Sequence, residues 1–187
     1  MSSLSGKTVI IAGGGSGVGL GCAQAFAEAG CKVTICGRNQ EKLEQVAGPG
    51  ISTYACDISD RGQVSSLFED LGVPDILVNS AGINVVKRKV AELSHEDFDK
   101  LMAINCTGFF NLVHEALPTM RERADGLVFS ISSIAGKRAY PLAGLGYSAS
   151  KFGVSAIASA INAEEADSGK VRHLLDRGKA YREGLDK

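Results

Sequence analysis

Thr8-Val9-Ile10-Ile11-Ala12-Gly13-Gly14-Gly15-Ser16-Gly17-Val18-Gly19-Leu20-Gly21 decides the fold of this chain. A short β-branched run meets a glycine cluster, and a segment with helical apolar spacing (Leu20, Ala23, Ala27) follows, up to Gly30. These patterns predict a strand, a tight turn and a helix start. Glycine lets the backbone take positive φ and approach a ligand closely. The unpaired N–H groups and the dipole at the start of the helix favour an anion such as a pyrophosphate. The spacing Gly13, Gly17, Gly19 in this frame therefore predicts a dinucleotide-binding loop, with Gly15, Ser16 and Val18 completing its lining.

Outward from the loop, strand and helix patterns alternate. Lys32–Cys36 reads as a second strand, ending in Gly37-Arg38-Asn39. An acidic residue here would accept hydrogen bonds from a ribose 2′-hydroxyl. Arg38 offers a planar cation fork suited to a phosphate instead, so the charge favours NADP, with NAD second. A helix over about 40–47 ends at Gly48-Pro49-Gly50, and Ile51–Cys56 forms a third strand. Asp57 and Ile58 then fall at the sheet edge that faces a ligand. Asp57 is placed to meet the adenine amine, and a helix N-cap is its rival role. After a helix over 61–71 comes a fourth strand, ending in Asn79-Ser80-Ala81-Gly82. The small residues Ala81 and Gly82 let a cofactor lie against the backbone.

Ser94, with Glu96 and Asp97 behind it, starts a helix whose apolar stripe (Phe98, Leu101, Met102, Phe109, Val113, Leu117) runs to Pro118. Asn105 lies on that stripe, where a polar side chain needs a partner or a task. Gly126–Ser132 reads as a fifth strand, apolar on both faces, followed by Ser133 and then by a helix from about Gly146 through Ile161. On that helix Tyr147 and Lys151 are four apart and share a face. A tyrosine of ordinary pKa (~10) is a weak acid-base group at neutral pH. An ammonium about 5 Å away, at an effective dielectric of about 20, favours the phenolate by roughly 3 kcal/mol. Tyr147 is thereby a candidate general acid or base, with Ser133 donating to the same substrate oxygen and Asn105 holding Lys151 through a water.

Composition narrows the class. The 187 residues make one domain, 44% hydrophobic and 22% charged, as expected of a globular protein with a sizeable core. The net charge of −1 comes without a basic block, which argues against a nucleic-acid surface. No apolar run approaches a membrane span, and the first residues lack an apolar signal region. Five cysteines are scattered singly, mostly in apolar context, which points to a reducing cytoplasm and to neither disulfides nor zinc. His95 and His114 have no second ligand at metal spacing and read as surface or capping residues, so no metal site is expected.

The glycine spacing, Asn79-Ser80-Ala81-Gly82, Asn105-Cys106-Thr107-Gly108, Ser133 and Tyr147-Ser148-Ala149-Ser150-Lys151 together resemble the single-domain branch of the short-chain dehydrogenase/reductase family. The resemblance covers about residues 8–169. It implies a doubly wound parallel sheet of Rossmann type with helices on both faces. The implied reaction is hydride transfer between a nicotinamide cofactor and a small carbonyl or alcohol substrate. Asn105, Ser133, Tyr147 and Lys151 would form the catalytic tetrad, Lys151 would also bond the nicotinamide ribose, and the two long helices would pair in a homodimer or homotetramer.

Three features depart from the family pattern. Ala12 stands where a threonine is usual. The segment from Ser133 to Tyr147 is one residue longer than usual, which makes Ser132 the alternative serine. After Lys151 there is no Pro-Gly, and residues 170–187 read as a charged tail in place of the C-terminal strands and substrate loop that the resemblance implies, which fits either a truncated product or a segment lost near residues 169–173. Two expectations follow. The fifth strand should be covered by real chain, for example by residues after Gly169. The rival to an enzyme is a nucleotide-binding scaffold, catalytically impaired by loss of that loop.

Overall fold

The computed structural model describes residues 4–166 and 171–176. Strands β1 (Thr8–Ala12), β2 (Lys32–Gly37), β3 (Ile51–Ala55), β4 (Ile76–Asn79), β5 (Gly126–Ile131) and β6 (Val171–Asp176) form one parallel sheet in the order β3-β2-β1-β4-β5-β6. Between them run α1 (Gly17–Glu28), α2 (Gln40–Val46), α3 (Arg61–Leu71), α4 (His95–Leu101), α5 (Gly108–Glu122) and α6 (Leu145–Glu164). A π-helical segment, Met102–Thr107, joins α4 to α5.

Alternation along the strands divides the core. Val9 and Ile11 of β1 join Val33, Ile35, Ile76 and Val78 on the face covered by α1 and α2. Ile10 and Ala12 join Leu77 and Val128 on the other face, under Leu67 of α3, Phe109 and Leu112 of α5 and Val154 of α6. Both faces are thus buried, which is why these parallel strands are apolar throughout. The chain reverses direction across the sheet between β1 and β4, and in such sheets the crevice at that point, beyond the carboxyl ends of the strands, takes the ligand.

Three elements differ from the sequence reading. The helix expected to stop at Pro118 runs to Glu122 with Pro118 inside it. Proline forfeits its own N–H bond and crowds the carbonyl one turn back, but buried Leu117 and Met120 hold the last turn against the core. The single helical stripe expected from Phe98 to Leu117 is broken by the π segment around Asn105. A sixth strand lies beside β5, with Phe129 opposite Leu174 and Gly126 opposite Val171. The reading that no strand follows the Tyr147 helix is thereby corrected, and the edge of β5 is paired by residues after Gly169, the cover that its apolar pattern called for. The tail reading from residue 170 falls partly on β6, and its remainder, 177–187, lies outside the described residues.

Candidate active site

The glycine loop leaves β1 under two backbone constraints. Gly13 N–H donates to Cys36 O at 2.9 Å and Ser80 N–H to Ala12 O at 2.8 Å, which ties the turn to β2 and β4. Gly13 has φ +76°, and a Cβ there would stand 2.6 Å from Ala81 N; a Cβ on Gly19 would stand 2.3 Å from Gly13 O. Only glycine fits at either place, and the close approach leaves a crevice over the backbone at the start of α1. Ser16 is the N-cap of α1 but makes no side-chain cap bond, and Val18 is exposed. Gly13, Gly15, Ser16, Gly17 and Val18 line a continuous cleft with Ala81 and Gly82. Asn79 is buried behind it, where its Oδ1 accepts from Ala81 N at 3.3 Å and shapes the turn. The loop and the start of α1 could hold the phosphates of a dinucleotide.

At one end of the cleft stand Arg38, Asn39, Asp57 and Ile58. Arg38 is exposed and makes no ion pair among the described residues. Asp57 does not cap α3; Asp60 does, accepting from Gly62 N and Gln63 N. Asp57 Oδ1 instead accepts from Ser59 N at 3.0 Å and Ser59 Oγ at 2.7 Å, a local turn that fixes the carboxylate at the cleft. Lys42 also lines this end, and sequence reading passed over it. The signal was its place one turn beyond Arg38, in a helix whose N-cap Asn39 accepts from Lys42 N at 2.9 Å. Cys36 and Cys56 complete the wall as buried thiols, Cys56 pushed up to about 11 by burial. All five cysteines are free, and Cys31, Cys36 and Cys56 are buried.

The other end is built by β4, β5 and α6. Tyr147 and Lys151 line it with Ile83 and Asn84. The Ser133 hydroxyl accepts from Ala135 N at 3.1 Å and shares a hydrogen bond with the Tyr147 hydroxyl. Ser132 also lines this end, but its Oγ is engaged elsewhere, 3.4 Å from Lys151 O and 3.3 Å from Ser155 Oγ. With that hydroxyl engaged, the extra residue before Tyr147 does not transfer the contact to Ser132. Lys151 is 4% exposed, and its Nζ donates to Ile131 O at 3.0 Å and lies 5.7 Å from the centre of the Tyr147 ring.

The electrostatics differ from the sequence expectation. Burial pushes the Tyr147 phenol above its ordinary range, and the Ser133 hydrogen bond only partly offsets this. The simple ammonium–phenolate estimate omitted the cost of burying the phenolate. Burial also lowers the Lys151 amine to about 8.

Asn105 is held by direct bonds: its Oδ1 accepts from Ile83 N at 2.8 Å, and its Nδ2 donates to Ile83 O at 2.9 Å and Ser150 Oγ at 3.0 Å. The π segment supplies the extra backbone that carries this amide out of the helical stripe to the β4 loop. Ser150 Oγ in turn donates to Tyr147 O at 2.8 Å, so Asn105 joins the β4 loop to the tyrosine helix.

Among the described residues no group of histidine, cysteine and carboxylate side chains is placed to hold a metal, and no helix is long and apolar enough to cross a membrane. His114 lies beside Phe110, their ring centres 5.5 Å apart.

A sequence profile described as short chain dehydrogenase matches residues 7–173. The chain is 36% identical over 177 residues to the glycine betaine reductase of Emericella nidulans, covering 89% of this chain and 14% of that one. It is 35% identical over 178 residues to an uncharacterized oxidoreductase of Mycobacterium bovis, covering 87% of this chain and 51% of the relative, so it spans about half that relative's length. Among solved structures, a 3-oxoacyl-[acyl-carrier protein] reductase with bound NAD from Brucella melitensis matches with a TM-score of 0.84 and 30% identity, over 91% of this chain and 69% of that one.

Proposed function

This chain belongs to the short chain dehydrogenase family, and we propose that it is an NADP-dependent oxidoreductase acting on a ketone or secondary alcohol, with Tyr147 as the acid-base group. One observation carries the reading: Tyr147, paired with Ser133, and Lys151 line one end of a cleft that passes over the glycine cradle to Arg38 and Asp57. A bound nicotinamide cofactor supplies the hydride chemistry. The protein's part is the proton. A half-buried phenol with a raised pKa keeps its proton at neutral pH and can give it to a carbonyl oxygen, while Ser133 donates a second hydrogen bond to that oxygen. Lys151, whose Nζ lies close beside Gly82 (3.3 Å from where a Cβ there would stand), would hold the ribose side of the cofactor.

The cofactor preference rests on charge. Arg38 and Lys42 line the adenosine end, and neither has a carboxylate partner among the described residues. A 2′-phosphate answers both cations better than a ribose hydroxyl does. The chain is read as one catalytic domain that works in the cytoplasm as a homodimer or homotetramer. Its association faces are narrower than the sequence implied: Phe109, Val113 and Ile161 belong to the chain's own core, while Phe110 of α5 and Phe152 of α6 are exposed. Loss of NADPH absorbance with a panel of ketones tests the enzyme reading. Tight NADPH binding without turnover of any ketone would favour the nucleotide-binding scaffold.

A further inference from the structure

We propose that Arg88 is a positioning residue for Tyr147, holding the first turn of the tyrosine helix from the loop after β4; the idea rests on Tyr147 being the proton-transferring group. Helix α6 begins without a side-chain cap, because its N-cap is Gly144. Its first N–H, on Leu145, needs an acceptor from elsewhere. That acceptor is the backbone carbonyl of Arg88, at 3.3 Å. The same residue's guanidinium reaches over the turn, and Nη1 donates to Leu142 O at 2.8 Å. Arg88 thus grips the segment before α6 with its side chain and presents its carbonyl to the helix.

Gly144 is fitted to this grip. It has φ +83°, and a Cβ there would lie 2.5 Å from Arg88 Cβ and 2.7 Å from Arg88 O. Neighbouring bonds fix the loop that carries Arg88. Asn84 Nδ2 donates to Ala143 O at 3.1 Å, and Ile83 is clamped at both backbone groups by Asn105. Tyr147 stands two residues inside the helix from Leu145. A shift of the first turn therefore moves its hydroxyl relative to Ser133, and displacements of about 1 Å at such a group cost on the order of 100-fold in rate.

Arg88→Ala removes the grip and leaves the carbonyl on a slack loop. Amide exchange at Leu145 and Ser148 should become at least about tenfold faster, with little change in β1 and β4. Ultraviolet titration of Tyr147, by difference against Tyr147→Phe, should move back toward an ordinary tyrosine. With a ketone that the parent reduces, kcat should fall roughly 10- to 100-fold while NADPH affinity stays within about twofold. Arg88→Lys should recover part of the loss, and Gly144→Ala should reproduce it. A lower melting temperature with unchanged exchange at Leu145 and unchanged titration of Tyr147 would overturn the proposal. The exchange and titration need no substrate, so they decide on Arg88 even if no ketone is reduced, an outcome that would count against the enzyme reading alone.

Discussion

Lys151 Nζ donates to the carbonyl oxygen of Ile131 at 3.0 Å, from a side chain 4% exposed. A backbone carbonyl, and no carboxylate, is the amine's hydrogen-bond acceptor. Its burial is therefore incompletely compensated, and the amine falls to about 8 from 10.5.

That relation has a sign. The unfolded chain holds this proton more tightly than the folded one, so the penalty is full below about pH 8 and fades as pH climbs to 10.5. Lys151→Met should stabilise the protein near neutral pH by roughly 1–2 kcal/mol, net of the lost bond to Ile131. Urea melts at neutral and alkaline pH should show this advantage shrinking as pH rises. A gap that does not change with pH would assign the difference to packing.

Tyr147→Phe should abolish turnover and leave NADPH binding nearly intact, since the phenol acts on the substrate. In the cofactor-free protein Tyr147 should titrate above an ordinary tyrosine, and Ser133→Ala should raise it further, because the serine bond is the influence that lowers it. Ultraviolet difference titration of the three proteins checks both directions. Substantial activity in the phenylalanine variant would assign the proton to another group.

Arg38→Asp should reverse the cofactor order from NADPH to NADH, and Lys42→Ala should weaken NADPH by about 3- to 30-fold while sparing NADH. Fluorescence titration of both cofactors measures this. Equal affinity of the parent for the two would contradict the 2′-phosphate reading.

Asn105→Leu should cost about 2–4 kcal/mol, because it leaves Ile83 N–H, Ile83 C=O and Ser150 without their partner inside the fold. The loss should appear in denaturant melts even without cofactor. A near-neutral change would mean that the loop rearranges to satisfy itself.

Most of the fold could be read because its signals are local. The β-branched runs ending in Ala12, Cys36 and Asn79, and the glycines that follow the first, fix strand, turn and helix within a few residues of one another. The π segment was not readable in this way. A helical stripe from Phe98 to Leu117 has the same apolar pattern with or without one wide turn, and the choice belongs to the contact between Asn105 and Ile83, 22 residues away. Pro118 misled for a related reason: a missing backbone donor is a local cost, whereas burial of Leu117 and Met120 is a long-range gain.

The same division runs through the site. By itself the sequence determined the glycine loop, Arg38 at the end of β2 and the pairing of Tyr147 with Lys151 on one helical face, because each depends on spacing within a single element. Only the tertiary structure decided that Ser133 and not Ser132 meets Tyr147, that Asn105 binds Ile83 and Ser150, that Lys42 joins Arg38, and that β6 covers β5. Those outcomes depend on where separate elements come to rest against one another. So does the raised pKa of Tyr147, since the cost of burying a charge is a property of the packed surroundings and is absent from any spacing along the chain.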